Sequence, residues 1–214
     1  MNSKSLALVI TFAAVAIVLN AVRIPTVFYP GTFFQFSQIP IVIAFLLFGA
    51  KIGVFVGLLN LAGGLALFPA GAAGGLFVYP FDFVSLLIMF AGIWLASRVI
   101  ANGSEWGKFS VLKKPVLGLT LGAIALRAGI MPFIDYAVVY HVMVPLLLGI
   151  NPSEAYISGL VPFFVLYNVI VPLYVVSVAY VVAAKMNKHL KIETFFPGIS
   201  VHKFQSLHQA CFEE

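Results

Sequence analysis

From Gly159 to Ala184 the chain runs without a single charged side chain, and this constrains its fold more than any other feature. A bilayer span needs about 20 consecutive, mostly apolar residues, and inside the hydrocarbon the backbone must satisfy its own hydrogen bonds, which a helix does. Five further apolar stretches precede this one: about Ser5–Val22, Ile41–Gly49, Ile52–Phe68, Asp82–Ile100, and Pro115 through Arg127. Only 9% of the residues are charged and 62% are hydrophobic, too few polar groups to solvate the surface of a water-soluble core. These features predict an all-α fold, a polytopic membrane protein with six transmembrane helices. Residues 1–185 form one membrane domain, and residues 186–214 a cytoplasmic C-terminal tail. The first apolar run ends at Asn20 and Arg23 without a small-residue cleavage site, so it reads as helix 1 and not as a signal peptide.

Basic residues set the expected orientation. With six spans, Lys4, Lys51, Arg98, Lys108, Lys113, Lys114, Lys185, Lys188, Lys191 and Lys203 fall on one side, and Arg23 alone on the other. The positive-inside rule then places both termini in the cytoplasm, with the protein in the cell membrane. The net charge of +5 is accounted for by these span ends, so no nucleic-acid surface is expected. The one cysteine, Cys211, excludes an intrachain disulfide, and no metal-ligand spacing or cofactor motif is present.

The stretch LRAGIMPFIDYAVVYHVMVP, residues 126–145, holds the one basic residue well inside an apolar segment, Arg127. Ionisable groups at membrane depth are expensive and mark function or an internal ion pair. At about 1.5 Å per residue, Arg127 lies about 18 Å beyond Pro115, in the outer half of a core about 30 Å thick. Asn168, about 14 Å down the last helix, and Asn20 near the end of helix 1 fall in the same layer. Asp82 and Asp135 sit at its rim, and Tyr167 and Tyr174 share a face. Together they outline a cavity opening outward. Asn60 reads as a helix-to-helix hydrogen bond nearer the inner half, and His141 as an interfacial side chain. Residues 23–40 read as a long outer loop, residues 69–80 as a turn-rich connection, and residues 136–158 as a broken connection.

The order of features resembles a known family. A long first outer loop ends in FSQIPIVIAFLLFGAKIGVFVGLLNLAGG, and RAGIMPFIDYAVVYHVMVPLLLG and VPFFVLYNVIVPLYVV follow. These look like the substrate-binding S component of energy-coupling-factor (ECF) vitamin transporters, over about residues 5–185. Asp135-Tyr136 with Pro145, and Pro162-Phe163 with Asn168, are most similar to riboflavin-type members. Asp135 stands where those members carry asparagine, and Arg127 suits a ligand with a carboxylate or phosphate. The resemblance implies a water-soluble vitamin, with riboflavin the nearest, captured by Arg127, Asn168, Asp135, Tyr136, Tyr140, Tyr167, Asp82, Gln38 and Asn20. It implies docking of helix 1, through Ala7, Ala13 and Ala16, onto a transmembrane coupling subunit that works with two ATPase subunits. The chain has no G-x-x-x-x-G-K-[ST] phosphate loop of its own, and no enzymatic activity is expected.

Three rival readings stay open. A self-sufficient secondary carrier would show an internal repeat, which is not evident. A membrane adaptor would bind no small solute. An intramembrane hydrolase would need Ser158 and His141 as nucleophile and base, without a G-x-S-x-G elbow.

Overall fold

The computed structural model describes residues 3–26, 33–67, 75–101 and 115–190. Seven α-helices account for most of them: α1 (Ser3–Leu19), α2 (Gln38–Phe48), α3 (Ala50–Leu67), α4 (Gly75–Ala101), α5 (Pro115–Ile134), α6 (Val144–Leu148) and α7 (Glu154–Leu190). A π-helical stretch, Asp135–Met143, joins α5 to α6. Four stretches are long and apolar enough to cross a membrane: Ala50–Leu67, Val78–Ile100, Pro115–Leu146 and Glu154–Asn187. Leu6–Leu19 and Gln38–Phe48 are shorter apolar helices. The chain is thus a mostly helical protein, compatible with a multi-pass membrane protein.

Asn20 bonds to Asn60 between α1 and α3. The pairs α3–α4, α4–α5 and α5–α7 run antiparallel. In α3, Gly57 faces Phe83 and Leu86 while Gly64 faces Tyr79 of α4. Gly92 of α4 meets Gly122 of α5. Lys51, Arg98 and Lys185 consequently fall toward one end, while Arg23 lies in the ribbon at the other. The core is built around α2, in which Ile41, Val42, Ala44, Phe45, Leu46 and Leu47 are all buried. Phe45 stacks on Phe90 of α4 with ring centroids 4.1 Å apart. Gly49, at φ 91°, turns α2 directly into α3, a conformation that a β-carbon would strain.

Several boundaries differ from the sequence reading. Within the expected outer loop, Arg23–Pro25 pairs antiparallel with Phe33–Gln35, so a two-stranded ribbon interrupts the all-α pattern. The helix after it starts at Gln38 and not at Ile41, because Pro40 falls in the first turn, where its missing N–H has no helical partner to lose. Asp82 does not open α4 but lies two turns inside it, with Pro80 accommodated in the helix, as membrane helices tolerate. The expected break over residues 136–158 is helical as far as Leu148, since Pro145 sits at the start of α6 and the π-helical turns carry the chain past Asp135. α7 begins at Glu154 and not at Gly159. The Ser153 hydroxyl accepts from the Tyr156 backbone N–H at 3.3 Å and caps the helix. α7 continues to Leu190, past the expected start of the tail. Residues 191–214, with Cys211, and much of the two connections at 69–80 and 101–114 lie outside the described residues.

Candidate functional site

Arg127 is the hub of a buried polar layer. It is 1% exposed, and Gln38, Asp135 and Asn168 are 4%, 4% and 1% exposed. α5 carries the guanidinium inward, where its Nε donates to Asn168 Oδ1 at 3.1 Å and its Nη1 to Gln38 Oε1 at 2.9 Å. The Met89 sulfur of α4 lies 3.9 Å from Nη1. Asn168 in turn donates through Nδ2 to Asp135 Oδ2 at 3.2 Å and to the Phe164 carbonyl at 3.0 Å. Its amide is thereby oriented, oxygen toward the cation and nitrogen toward the anion. Guanidinium and carboxylate are linked through an amide relay. Asp82 also lies close enough to Arg127 to interact with its charge.

This layer brings together four of the residues selected from sequence, Arg127, Asn168, Asp135 and Gln38, with Asp82 beside them. Tyr167 joins from α7. Its hydroxyl donates to the Phe33 carbonyl at 3.0 Å, and its ring stacks on Phe34. Tyr174 meets Phe34 edge-on and packs against Phe36, so both tyrosines face the ribbon. Tyr140 stacks on Phe164, centroids 5.2 Å apart.

Asn20 lies elsewhere. Its Nδ2 donates to Asn60 Oδ1 at 2.9 Å, which makes Asn60 the helix-to-helix bond expected of it, though level with Asn20 and Gln38 and not nearer the inner half, and sets Asn20 on the α1–α3 side. Tyr136 also turns away from Arg127, its hydroxyl donating to Glu154 Oε2 at 2.9 Å. His141 completes that outer cluster, Nδ1 at 2.8 Å from the Tyr136 carbonyl and Nε2 at 2.9 Å from Glu154 Oε1. Both partners are acceptors, so the two bonds are complete together when both ring nitrogens carry protons. Ser158 donates to the Glu154 carbonyl of its own helix. Of the expected docking residues, Ala13 and Ala16 are buried inside the bundle, while Ala7 is exposed.

A narrow cleft, part of it open to the surroundings, lies beside the layer between α2, α3 and α4. Gln38 and Asp82 line it, and so do three residues that sequence reasoning left out of the site: Ser37, Asn60 and Tyr79. Ser37 and Tyr79 flank selected residues or lie in an aromatic run, which gave no signal separating them from packing groups. No group of three or more His, Cys, Asp or Glu able to hold a metal ion occurs among the described residues. Compared with known protein families, characterised proteins and solved structures, the chain finds no match.

Proposed function

We propose that the chain is the substrate-capture component of an ECF-type importer, crossing the cell membrane six times with α1 and α2 as its two short spans. The observation that supports this reading is the buried layer of Arg127, Gln38, Asn168 and Asp135, drawn from three segments far apart in sequence and set in apolar helices. Polar groups at such depth mark solute pathways more often than packing. The solute is a water-soluble vitamin or related small molecule, of which riboflavin is the nearest by resemblance, entering from the ribbon end. A transmembrane coupling subunit and two ATPase subunits supply the energy, and the chain itself catalyses no reaction. Docking then uses the outward face of α1, where Ala7 lies, because Ala13 and Ala16 point into the bundle.

The gathering of Lys51, Arg98 and Lys185 at the end away from the ribbon supports a cytoplasmic position for that end. A cysteine placed at Glu154 should be labelled by an impermeant reagent from outside only, and Cys211 from the cytoplasm only. Labelling of both from one face would overturn the topology. The function itself is tested by mass spectrometry of small molecules that co-purify with the solubilised chain, followed by uptake in proteoliposomes. Uptake should require the coupling subunit, the ATPases and ATP. Uptake by the chain alone would make it a self-sufficient carrier, and no co-purifying or transported solute would remove the proposal.

A further inference from the structure

Ser37 stands directly before α2, and its hydroxyl does not do what a serine in that place usually does. An N-cap side chain accepts from a backbone N–H of the first turn, but Ser37 has helical backbone angles (φ −58°, ψ −26°) and makes no such bond. It is 1% exposed, and its Oγ has no hydrogen-bond partner among the described residues. Native proteins leave few buried polar atoms in that condition, and such an atom calls for a partner from outside the chain. Ser37 borders the narrow cleft between α2, α3 and α4.

Size and chemistry decide what that partner is. The room in the cleft is about 10 Å³, and a cavity needs roughly 10 to 15 Å³ to hold one water molecule. No organic solute fits. Gln38, Asn60 and Asp82 border the cleft as well. Among the described residues, the Gln38 side chain makes its one hydrogen bond through Oε1, to Arg127, and the Asn60 side chain through Oδ1, to Asn20. Each amide therefore keeps an NH2 group to donate. Asp82 already interacts with the Arg127 charge, but a carboxylate has about four acceptor positions. A bare cation would face amide N–H groups and the positive end of α2, while an anion would face the Asp82 carboxylate. A water molecule is uncharged and both accepts and donates.

We infer that this cleft is a binding site for a single water molecule, which bridges the Ser37 hydroxyl to the Asp82 carboxylate and to an amide N–H of Gln38 or Asn60. The water joins the start of α2 to its neighbours, as a bridging water does nearly as well as a direct bond. The inference goes beyond the importer reading and stands or falls without it.

A crystallographic map of the full, unaltered chain, at a resolution that shows ordered water, is the first test. One solvent peak should lie within about 3 Å of Ser37 Oγ and within hydrogen-bond reach of at least one of Gln38, Asn60 and Asp82. An empty site, a direct bond from Ser37 to another protein group, or an anomalous peak after exchange of sodium for thallium(I) or of chloride for bromide would overturn the inference, with no variant having to fold. The second test reads a sign. Removing a buried hydroxyl that pairs with nothing should leave the unfolding midpoint unchanged or raise it, whereas removing one that holds a water takes away a hydrogen bond and should lower it. Ser37→Ala should lower the midpoint of the solubilised chain by about 2 to 4 °C, the shift for one ordinary hydrogen bond in a chain of this size. An unchanged or raised midpoint would equally overturn the inference.

Discussion

Arg127→Ala should destabilise the protein by about 3 to 5 kcal/mol even without ligand, the range for removing one member of a buried charge network. The substitution would strand three groups at once: Gln38 Oε1 and Asn168 Oδ1 lose their donor, and the Asp135 carboxylate loses the cation it reaches through Asn168. Water cannot readily replace them, because each of these residues is buried. Unfolding of the solubilised chain by heat or denaturant reads the loss. Adding Asp135→Asn should recover part of it, since a neutral amide no longer needs the guanidinium, and Asn168 can rotate to pair with the new side chain. Full stability in the single variant, combined with weakened solute binding, would instead make Arg127 a ligand contact with no structural role.

The second large effect is expected at the crossing of α4 and α5. A β-carbon on Gly122 would lie 2.5 Å from Ala96 Cβ and 2.6 Å from the Gly92 carbonyl oxygen. One on Gly92 would lie 2.9 Å from Ala123 Cα and closer still to the Gly122 carbonyl. The obstacles are mostly backbone, which cannot move aside as a side-chain tip can. Gly92→Ala should therefore push the two helices apart and cost about 3 kcal/mol, the upper part of the usual overpacking range. Close backbone approach of this kind is what small residues provide between membrane helices. Gly129→Ala on α5 is the control. Its β-carbon would meet nothing within 4 Å, so stability should hold or rise slightly as the helix gains a better helix former. Equal effects at Gly92 and Gly129, measured as unfolding midpoints, would show that the crossing does not set the stability.

Much of the polar layer was readable from sequence because a polar residue in a long apolar run has few explanations. Arg127 and Asn168 were placed level by counting helical rise alone, and they meet at 3.1 Å. Asn20 shows the limit of that count: level says nothing of rotation about the helix axis, and its amide turns to Asn60 instead. Tyr136 is a second case. Successive residues on a helix point about 100° apart, so the neighbour of buried Asp135 points to Glu154 on the outside. Proline misled the boundaries, as Pro80 and Pro145 read as breaks but lie within or at the start of helices. Ser37 and Met89 had no signal, since one looks like a loop residue and the other like core, and only tertiary packing sets them beside the cleft and the guanidinium.

The enclosure of α2 bears on how the chain is made. Its 11 residues measure about 16 Å along the axis, roughly half the hydrocarbon thickness. It packs against α1, α3, α4 and α7, leaving little of it to face lipid. During synthesis, α2 leaves the ribosome long before α7, and until then one of its walls is missing. The Gln38 side chain at its start likewise waits for Arg127 of α5, which is made later. The walls around α2 are therefore complete only once the last helix has been made and packs over the second.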